Sequence, residues 1–570
     1  MKKLLLGDFA VARGAYEAGV KVATAYPGTP STEITEELSR YDEVYSEWSP
    51  NEKVALEVGM GSSLSGARTI VSMKHVGLNV ASDPLFTIAY TGVNAGLVVA
   101  VADDPSMFSS QNEQDTRLIA RSANVPVVEP SDSAEAKAFT EFAFELSEKY
   151  DTPVILRLTT RVAHSQSLVE LAPRKNIPLK PYVKDVSKYV MMPSNAIKRH
   201  VVVEERLKRL SLDSNAFSIN NVEYNDLSLG VICAGGVYQY VKDALPKASV
   251  LKLGMVFPLP YELIKDFRSK VKRCIVIEEL EPHIETLCKY AGIDVEGKTV
   301  FGIQGELSVK TIKEKLLGAS PDVKKEDVPF RPPVLCAGCP HRGVFYVLRK
   351  LNLSVMGDIG CYTLGAVAPL SSVDATVCMG ASVGMAVGAD KADPEAHKRT
   401  VAVIGDSTFI HSGITGLIDA VYNKANITVI VLDNRTTGMT GHQNNPANGK
   451  TIKNEETFML DLAKLSETVG ADSVRVVDPY DVKLFESVVK EEVNKKGVSV
   501  IISKRPCVLL TKRQYKGFEI DGEACKNCKA CLKLGCPAIA SGANGMRIDS
   551  SLCTECGLCK KICKFGAIKG

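Results

Sequence analysis

Residues 400–434 read TVAVIGDSTFIHSGITGLIDAVYNKANITVIVLDN. Two short apolar runs, TVAVIGD and ITVIVLDN, flank a segment with helical spacing, which is the pattern of a strand–helix–strand unit. Such a crossover makes the strands parallel, so both end at the same sheet edge. That geometry brings Asp406 and Asn434 together. Their oxygens suit Mg2+, a hard cation that keeps near-octahedral geometry and often bridges to phosphate. The helix start and the small residues Gly405 and Ser407 leave room for a pyrophosphate. A plain Gly-Asp turn followed by an Asx turn is the ligand-free alternative.

The same α/β alternation runs outward from this unit. Residues 1–170 carry buried-strand runs at ARTIVSMK, AGLVVAVAD and TPVILRL, separated by helix-like segments. A polar, partly basic connector with one helix is expected over 171–225. A smaller α/β unit spans 226–318, with strands at LGVICAG, ASVLKLG and RCIVIEE. GASPDVKKEDVPFRPP reads as a linker, and the unit holding residues 400–434 spans 331–512. The expected fold class is therefore multidomain α/β with mostly parallel sheets, closed by a small cysteine-rich domain at 515–570.

The chain has 570 residues, too many for one core. A net charge of +3 calls for neither nucleic acid nor a membrane surface. No apolar run is long enough to span a bilayer, and the opening MKKLLLGDFA stops short of a signal-peptide core. A cytoplasmic location is the expectation. Eight of the sixteen cysteines crowd into residues 525–563, which points to metal ligation in a reducing compartment rather than disulfides.

The crowding has a period. Cys525-x2-Cys528-x2-Cys531-x4-Cys536-Pro537 is followed by Cys553-x2-Cys556-x2-Cys559-x3-Cys563. Three close thiolates wrap three corners of an iron–sulfur cube, and the fourth reaches across to the other cube. On that swap Cys525, Cys528, Cys531 and Cys563 hold one [4Fe–4S] cluster, and Cys553, Cys556, Cys559 and Cys536 hold the other. Zinc prefers two separated pairs of ligands and fits the triplets poorly. With few apolar residues of its own, this domain draws much of its folding free energy from its clusters. Its nine Lys/Arg against five Asp/Glu offset cluster charge.

The 400–434 stretch resembles the thiamine pyrophosphate motif, in which G-D-G is followed after about 25 residues by N-N. Here 25 residues separate Ser407 from Asp433, and Ser407 stands where the motif has its second glycine. The resemblance makes Asp406 and Asn434 side-chain ligands of Mg2+ and the carbonyl of Thr436 a third. Thiamine chemistry also needs a partly desolvated carboxylate to act on the aminopyrimidine. SPNEKVALEVGMG offers Glu52 and Glu57, and spacing does not choose between them.

With ARGAYEAGVKVATAYPGTPSTEI, DNRTTGMTGHQ, CAGCPHRG, GDIGCYTLG and MKHVGLNVASDPL in place, the chain resembles the 2-oxoacid:ferredoxin oxidoreductase family over nearly its whole length, and within it the large subunits of indolepyruvate-type enzymes. The resemblance implies a pyrimidine-binding thiamine domain at 1–170, a transketolase C-terminal-like domain at 226–318, a pyrophosphate-binding thiamine domain at 331–512 and a two-cluster ferredoxin domain at 515–570. It places Glu52 as the catalytic glutamate and Thr29 at the cofactor as a candidate substrate contact. It also implies a third cluster on Cys336, Cys339, Cys361 and Cys507. The implied reaction is oxidative decarboxylation of an aryl 2-oxoacid to an acyl-CoA, with electrons leaving to external ferredoxin. Coenzyme A is the co-substrate, and a smaller beta subunit carrying the missing gamma-type domain completes a hetero-oligomer. A branched or small 2-oxoacid is the alternative substrate. A non-redox thiamine decarboxylase would leave twelve clustered cysteines idle, and an electron-transfer subunit with a degenerate thiamine fold is the other competing class.

The remaining residues read as structural. Cys233, Cys274, Cys288 and Cys378 lie in apolar contexts and are expected in the core. Gly380, Gly384 and Gly388 suggest a close-packed helix. His75 and His341 fall in loop-like runs, His411 follows the Asp406 turn, and His442 lies in TGHQ; surface or packing roles are expected ahead of catalysis.

Overall fold

The computed structural model describes residues 1–319, 328–329, 332–511, 516–542 and 545–570. Most of the expected linker lies outside them. The chain divides into two compact units, Met1–Glu326 and Asp327–Gly570.

The first unit is built on a seven-stranded sheet. Its order is Met255–Phe257, Val127–Val128, Val154–Thr159, Leu97–Asp103, Thr69–Lys74, Val22–Ala25 and Tyr45–Trp48. All neighbours are parallel except the edge strand Met255–Phe257. Thr69–Lys74 and Leu97–Asp103 are buried along their whole length, as continuous apolar runs covered on both faces should be. The leading KKLLL forms a strand, Lys2–Leu6, paired antiparallel with Gln166–Glu170.

The region after the 171–225 connector has an apolar cluster of its own, with Val231, Val241, Val250, Ile275 and Ile312 among its members. Its four-stranded sheet, Arg273–Ile277, Asp226–Ala234, Ala248–Leu253 and Asn221–Glu223, also shares an apolar cluster with the large sheet. Met255–Phe257 then adds itself to that sheet. A buried charge network ties the two: Arg117 donates to Asp115, to Glu278 at 2.8 Å and to the carbonyls of Glu279 and Glu281.

The second unit holds a five-stranded parallel sheet in the order Ser354–Met356, Thr400–Gly405, Ile427–Asp433, Val498–Lys504, Ser473–Val477. The cysteine-rich domain packs into one face of this unit. Phe518, Leu534, Met546, Leu558 and Ile568 share a core with Phe345 and Phe485, so the ferredoxin-like segment is seated rather than tethered. Among the described residues no helix is long and apolar enough to cross a membrane.

Candidate active site and metal centres

Thr400–Gly405 and Ile427–Asp433 are adjacent and parallel, with Gly405 opposite Leu432. The residues that follow each strand therefore meet. Asp406 is buried; its Oδ1 accepts from the Ser407 N–H at 2.7 Å and its Oδ2 from the Arg435 N–H at 2.8 Å. Burial, and then Asp433, push its carboxyl up to about 7. The Asn434 amide oxygen faces two further acceptors; turned over, the amide would donate to Thr436 O at 2.8 Å and Asp406 Oδ1 at 3.3 Å. A carboxylate, an amide oxygen and a main-chain carbonyl converging this way form a donor set suited to a hard divalent cation.

Ser407 is accommodated, because its hydroxyl accepts from Thr437 Oγ1 at 3.0 Å. Gly405 is required for a different reason: a Cβ there would lie 2.5 Å from the Tyr362 ring. The Tyr362 hydroxyl donates to Ile359 O at 2.7 Å and pairs with Thr408 Oγ1 at 3.0 Å. Thr437 and Tyr362 lie within the DNRTTGMTGHQ and GDIGCYTLG runs, but those runs do not single them out. Asp358, in the same GDIGCYTLG run, was given no role from sequence; it accepts from the Gly380 and Ser382 N–H groups at the start of helix Ala381–Ala392. The close-packed reading holds at Gly380, where a Cβ would clash with the Ser412 hydroxyl, but not further along the helix. A Cβ at Gly384 or Gly388 would meet nothing within 4 Å, and the helix instead packs through Val383 onto Gly416.

Cys336, Cys339, Cys361 and Cys507 come together in the second unit. Burial raises the Cys361 thiol to about 11, with repulsion from Cys507 and Cys336 adding to it; Cys339 and Cys507 are raised by burial first and by these neighbours after. The group adjoins the Asp406 turn. The Cys507 N–H donates to Asn434 O at 2.9 Å, and a Cβ on Gly438 would lie 3.5 Å from Cys361 Sγ and 3.9 Å from Asn434 Nδ2.

The ferredoxin-like cysteines surround two cavities. Cys536, Cys553, Cys556 and Cys559 line one of them, and Cys525, Cys528, Cys531 and Cys563 line the other. These are the crossed sets that the spacing predicts. Four sulfurs at ~2.3 Å from one Zn2+ would lie roughly 3.8 Å apart. Among the described residues no three cysteine sulfurs lie within 4.8 Å of one another, although Asp8, Glu33 and His164 offer ligand atoms that do. The cysteine sets are too open for a single zinc ion, whereas a cube holds its thiolates further apart. Arg342, also missed in sequence, links two sets: it donates to Cys336 O at 2.9 Å, to Leu534 O at 2.9 Å and to Leu335 O. Cys378, expected in the core, is exposed, because it lies in the irregular segment before helix Ala381–Ala392 rather than inside it. Cys233, Cys274 and Cys288 are buried.

In the first unit the two glutamates separate cleanly. Glu52 is the first residue of helix Glu52–Leu64, whose start Asn51 caps by accepting from the Val54 N–H at 2.9 Å. Glu52 is buried, and Gly77 lies so close that a Cβ would sit 2.7 Å from the Glu52 Oε1. Glu57 is exposed and paired with Lys53. Only Glu52 has the desolvated setting that a proton-handling carboxylate needs. Thr29 sits in the Tyr26–Pro30 turn, where its carbonyl accepts from Ser109 Oγ at 3.3 Å. His75, His341 and His411 are buried rather than loop residues at the surface: His75 and His341 open helices, and His411 lies in a π-helical turn with Ser412 Oγ at 2.9 Å from its Nδ1. His442 is half-buried in a left-handed turn.

Comparison with known proteins adds an independent line. A family model described as "Pyruvate flavodoxin/ferredoxin oxidoreductase, thiamine diP-bdg" matches residues 13–208. One described as "Thiamine pyrophosphate enzyme, C-terminal TPP binding domain" matches 358–503, and a "4Fe-4S binding domain" matches 546–569. "Indolepyruvate oxidoreductase subunit IorA" of Archaeoglobus fulgidus is 41% identical over 100% of this chain and 97% of its own length. Its namesakes from Pyrococcus horikoshii and Methanothermobacter thermautotrophicus are 40% and 42% identical over the same shares.

Proposed function

Because the chain belongs to the indolepyruvate oxidoreductase family, as a counterpart of its IorA subunits within the 2-oxoacid:ferredoxin oxidoreductases, we propose that it decarboxylates aryl 2-oxoacids oxidatively, forming acyl-CoA and CO2. Thiamine diphosphate, when bound, supplies the electron sink for loss of CO2, and iron–sulfur clusters accept the electrons one at a time. In this reading Asp406, Asn434 and the Thr436 carbonyl hold Mg2+, with Gly405 and Ser407 beside the diphosphate. Glu52 holds and releases a proton at the aminopyrimidine. Cys336, Cys339, Cys361 and Cys507 carry a cluster, and the two crossed cysteine sets of the C-terminal domain carry two more. A smaller beta subunit, coenzyme A and external ferredoxin complete the system.

The observation that carries the reading is the hydrogen bond from Cys507 to Asn434. It sets a four-cysteine group against the turn that suits the diphosphate's metal, an arrangement that a non-redox decarboxylase has no use for. The names of the full-length relatives favour indolepyruvate over a branched or small 2-oxoacid. The test is anaerobic co-expression with the beta subunit and reconstitution with iron, sulfide, Mg2+ and thiamine diphosphate. Reduction of a low-potential dye by indolepyruvate should require thiamine and coenzyme A, with indoleacetyl-CoA seen by mass spectrometry. Decarboxylation to the aldehyde without dye reduction would overturn it.

A further inference from the structure

Lys74 ends the buried strand Thr69–Lys74 and is itself only 8% exposed. Its ammonium donates to the Ser109 carbonyl at 2.6 Å and has the Ser109 hydroxyl at 3.4 Å. An ammonium has three donors. The nearby carboxylate that attracts it, Asp104, is already engaged: Oδ2 accepts from the Ser109 N–H at 2.8 Å and from Ser110 Oγ at 2.6 Å, and Oδ1 from Thr160 Oγ1 at 2.8 Å. A buried cation without a close counter-ion is costly, and such groups are paired or serve a ligand.

Its surroundings say which ligand. A Cβ on Gly28 would lie 3.1 Å from the Lys74 Cβ, so the Thr29 turn runs along the lysine stem. Three residues further on, Gly77 lies against the Glu52 carboxylate. The step from Lys74 to Gly77 thus touches the turn assigned to substrate at one end and the glutamate assigned to cofactor at the other. Beside it lies buried His75, whose ring faces the backbone of Asn112 and the carboxylates of Asp103 and Asp104. One ammonium matches a monoanion. The diphosphate, which carries more charge, is assigned to the Asp406 turn.

We propose that Lys74 is an anion subsite that receives the carboxylate of the 2-oxoacid substrate. This rests on the function proposed above. The competing role is purely structural, a tie that holds the segment around Ser109 through its carbonyl.

The experiment uses the complete alpha–beta holoenzyme and two unreactive probes, indole-3-lactate and its methyl ester, with binding read by calorimetry so that no turnover is needed. The wild type should prefer the acid by about ten- to a hundredfold, the range of a hydrogen bond to a charged group. Lys74→Met should erase that preference by weakening the acid while leaving the ester within about twofold, and Lys74→Arg should restore part of it. Lys74→Met should also melt no lower than the wild type, since it removes an unpaired buried charge. An unchanged acid-to-ester ratio in Lys74→Met overturns the proposal, and a lower melting temperature with that unchanged ratio assigns the lysine to the structural tie. Lys74→Gln, read the same way, replaces the methionine variant if that one fails to fold. Dye reduction by wild type with indolepyruvate reports on the reaction separately. Activity with an unchanged ratio sinks the lysine alone; a lost ratio without activity sinks the reaction and leaves the subsite.

Discussion

The main-chain N–H of Cys507 donates to the carbonyl oxygen of Asn434 at 2.9 Å. This bond locks the loop that carries a candidate cluster ligand to the turn that carries a candidate metal ligand, so under the proposed function the thiamine site and the first cluster would be held by adjoining backbone. Cys507→Ser should leave the bond and the turn in place while removing a thiolate. The expected outcome is loss of about a third of the iron, retained thiamine binding and no dye reduction. Iron analysis and paramagnetic resonance check the first, and thiamine calorimetry the second. Full iron content in the variant would show that Cys507 is not a ligand.

The four-residue gap before Cys536, one longer than the usual ferredoxin spacing, ends at Gly535 in the left-handed region at φ +64°. A Cβ there would sit 2.9 Å from the Pro369 Cδ and 3.3 Å from the Arg342 guanidinium. The extra residue is thereby absorbed in a short turn over Ala530–Leu534 whose last carbonyl Arg342 holds. Gly535→Ala combines backbone strain with a steric clash, at a cost of roughly 1–3 kcal/mol. The cluster assigned to Cys536, Cys553, Cys556 and Cys559 should bleach faster under air or chelator than its neighbour, followed by absorbance near the cluster band. Equal bleaching rates in the variant and the wild type count against this role for Gly535.

Arg117 is fully buried among Asp115, Glu278 and two carbonyls. Its charge holds the Asp115 carboxyl well below the ordinary carboxylate range, although burial alone would raise it. Arg117→Met strands two buried carboxylates and should cost roughly 3–5 kcal/mol. The first unit should unfold at visibly lower urea concentration, by circular dichroism, with the iron content of the second unit unchanged. A shift of less than about 1 kcal/mol would place the network among ordinary surface pairs.

Residues whose role follows from chain connectivity were legible before the fold. Asp406 and Asn434 end neighbouring parallel strands, and the crossed cysteine sets follow from a repeated spacing. Residues whose role depends on what packs opposite them were not. Tyr362 matters because it fills the space above Gly405, Arg342 because Leu534 O lies within its reach, and Lys74 because Asp104 is already occupied. The choice between Glu52 and Glu57 needed burial, and the exposure of Cys378 and the bare faces of Gly384 and Gly388 needed the actual neighbours. Periodicity assigns an element but does not say what lies across from it.

Lys74 gives the sharpest pH test, because two readouts should move in opposite directions. Burial lowers its ammonium from 10.5 to about 8, with Asp104 opposing the shift. His75, next to it, is itself held neutral by burial and adds no charge above pH 7. The 2-oxoacid is ionised throughout, so only the protonated lysine can bind it by charge. The kcat/KM for indolepyruvate should therefore fall as pH rises through about 8, approaching tenfold per pH unit. For stability, the unfolded chain keeps this proton up to 10.5 and the folded chain only to about 8. Between those values the unfolded state binds more protons, so the substrate-free protein should gain stability as pH rises from 8 to 10.5. Lys74→Met should flatten both profiles. A wild-type kcat/KM that stays level to pH 9.5 would mean that the substrate carboxylate is held by another group.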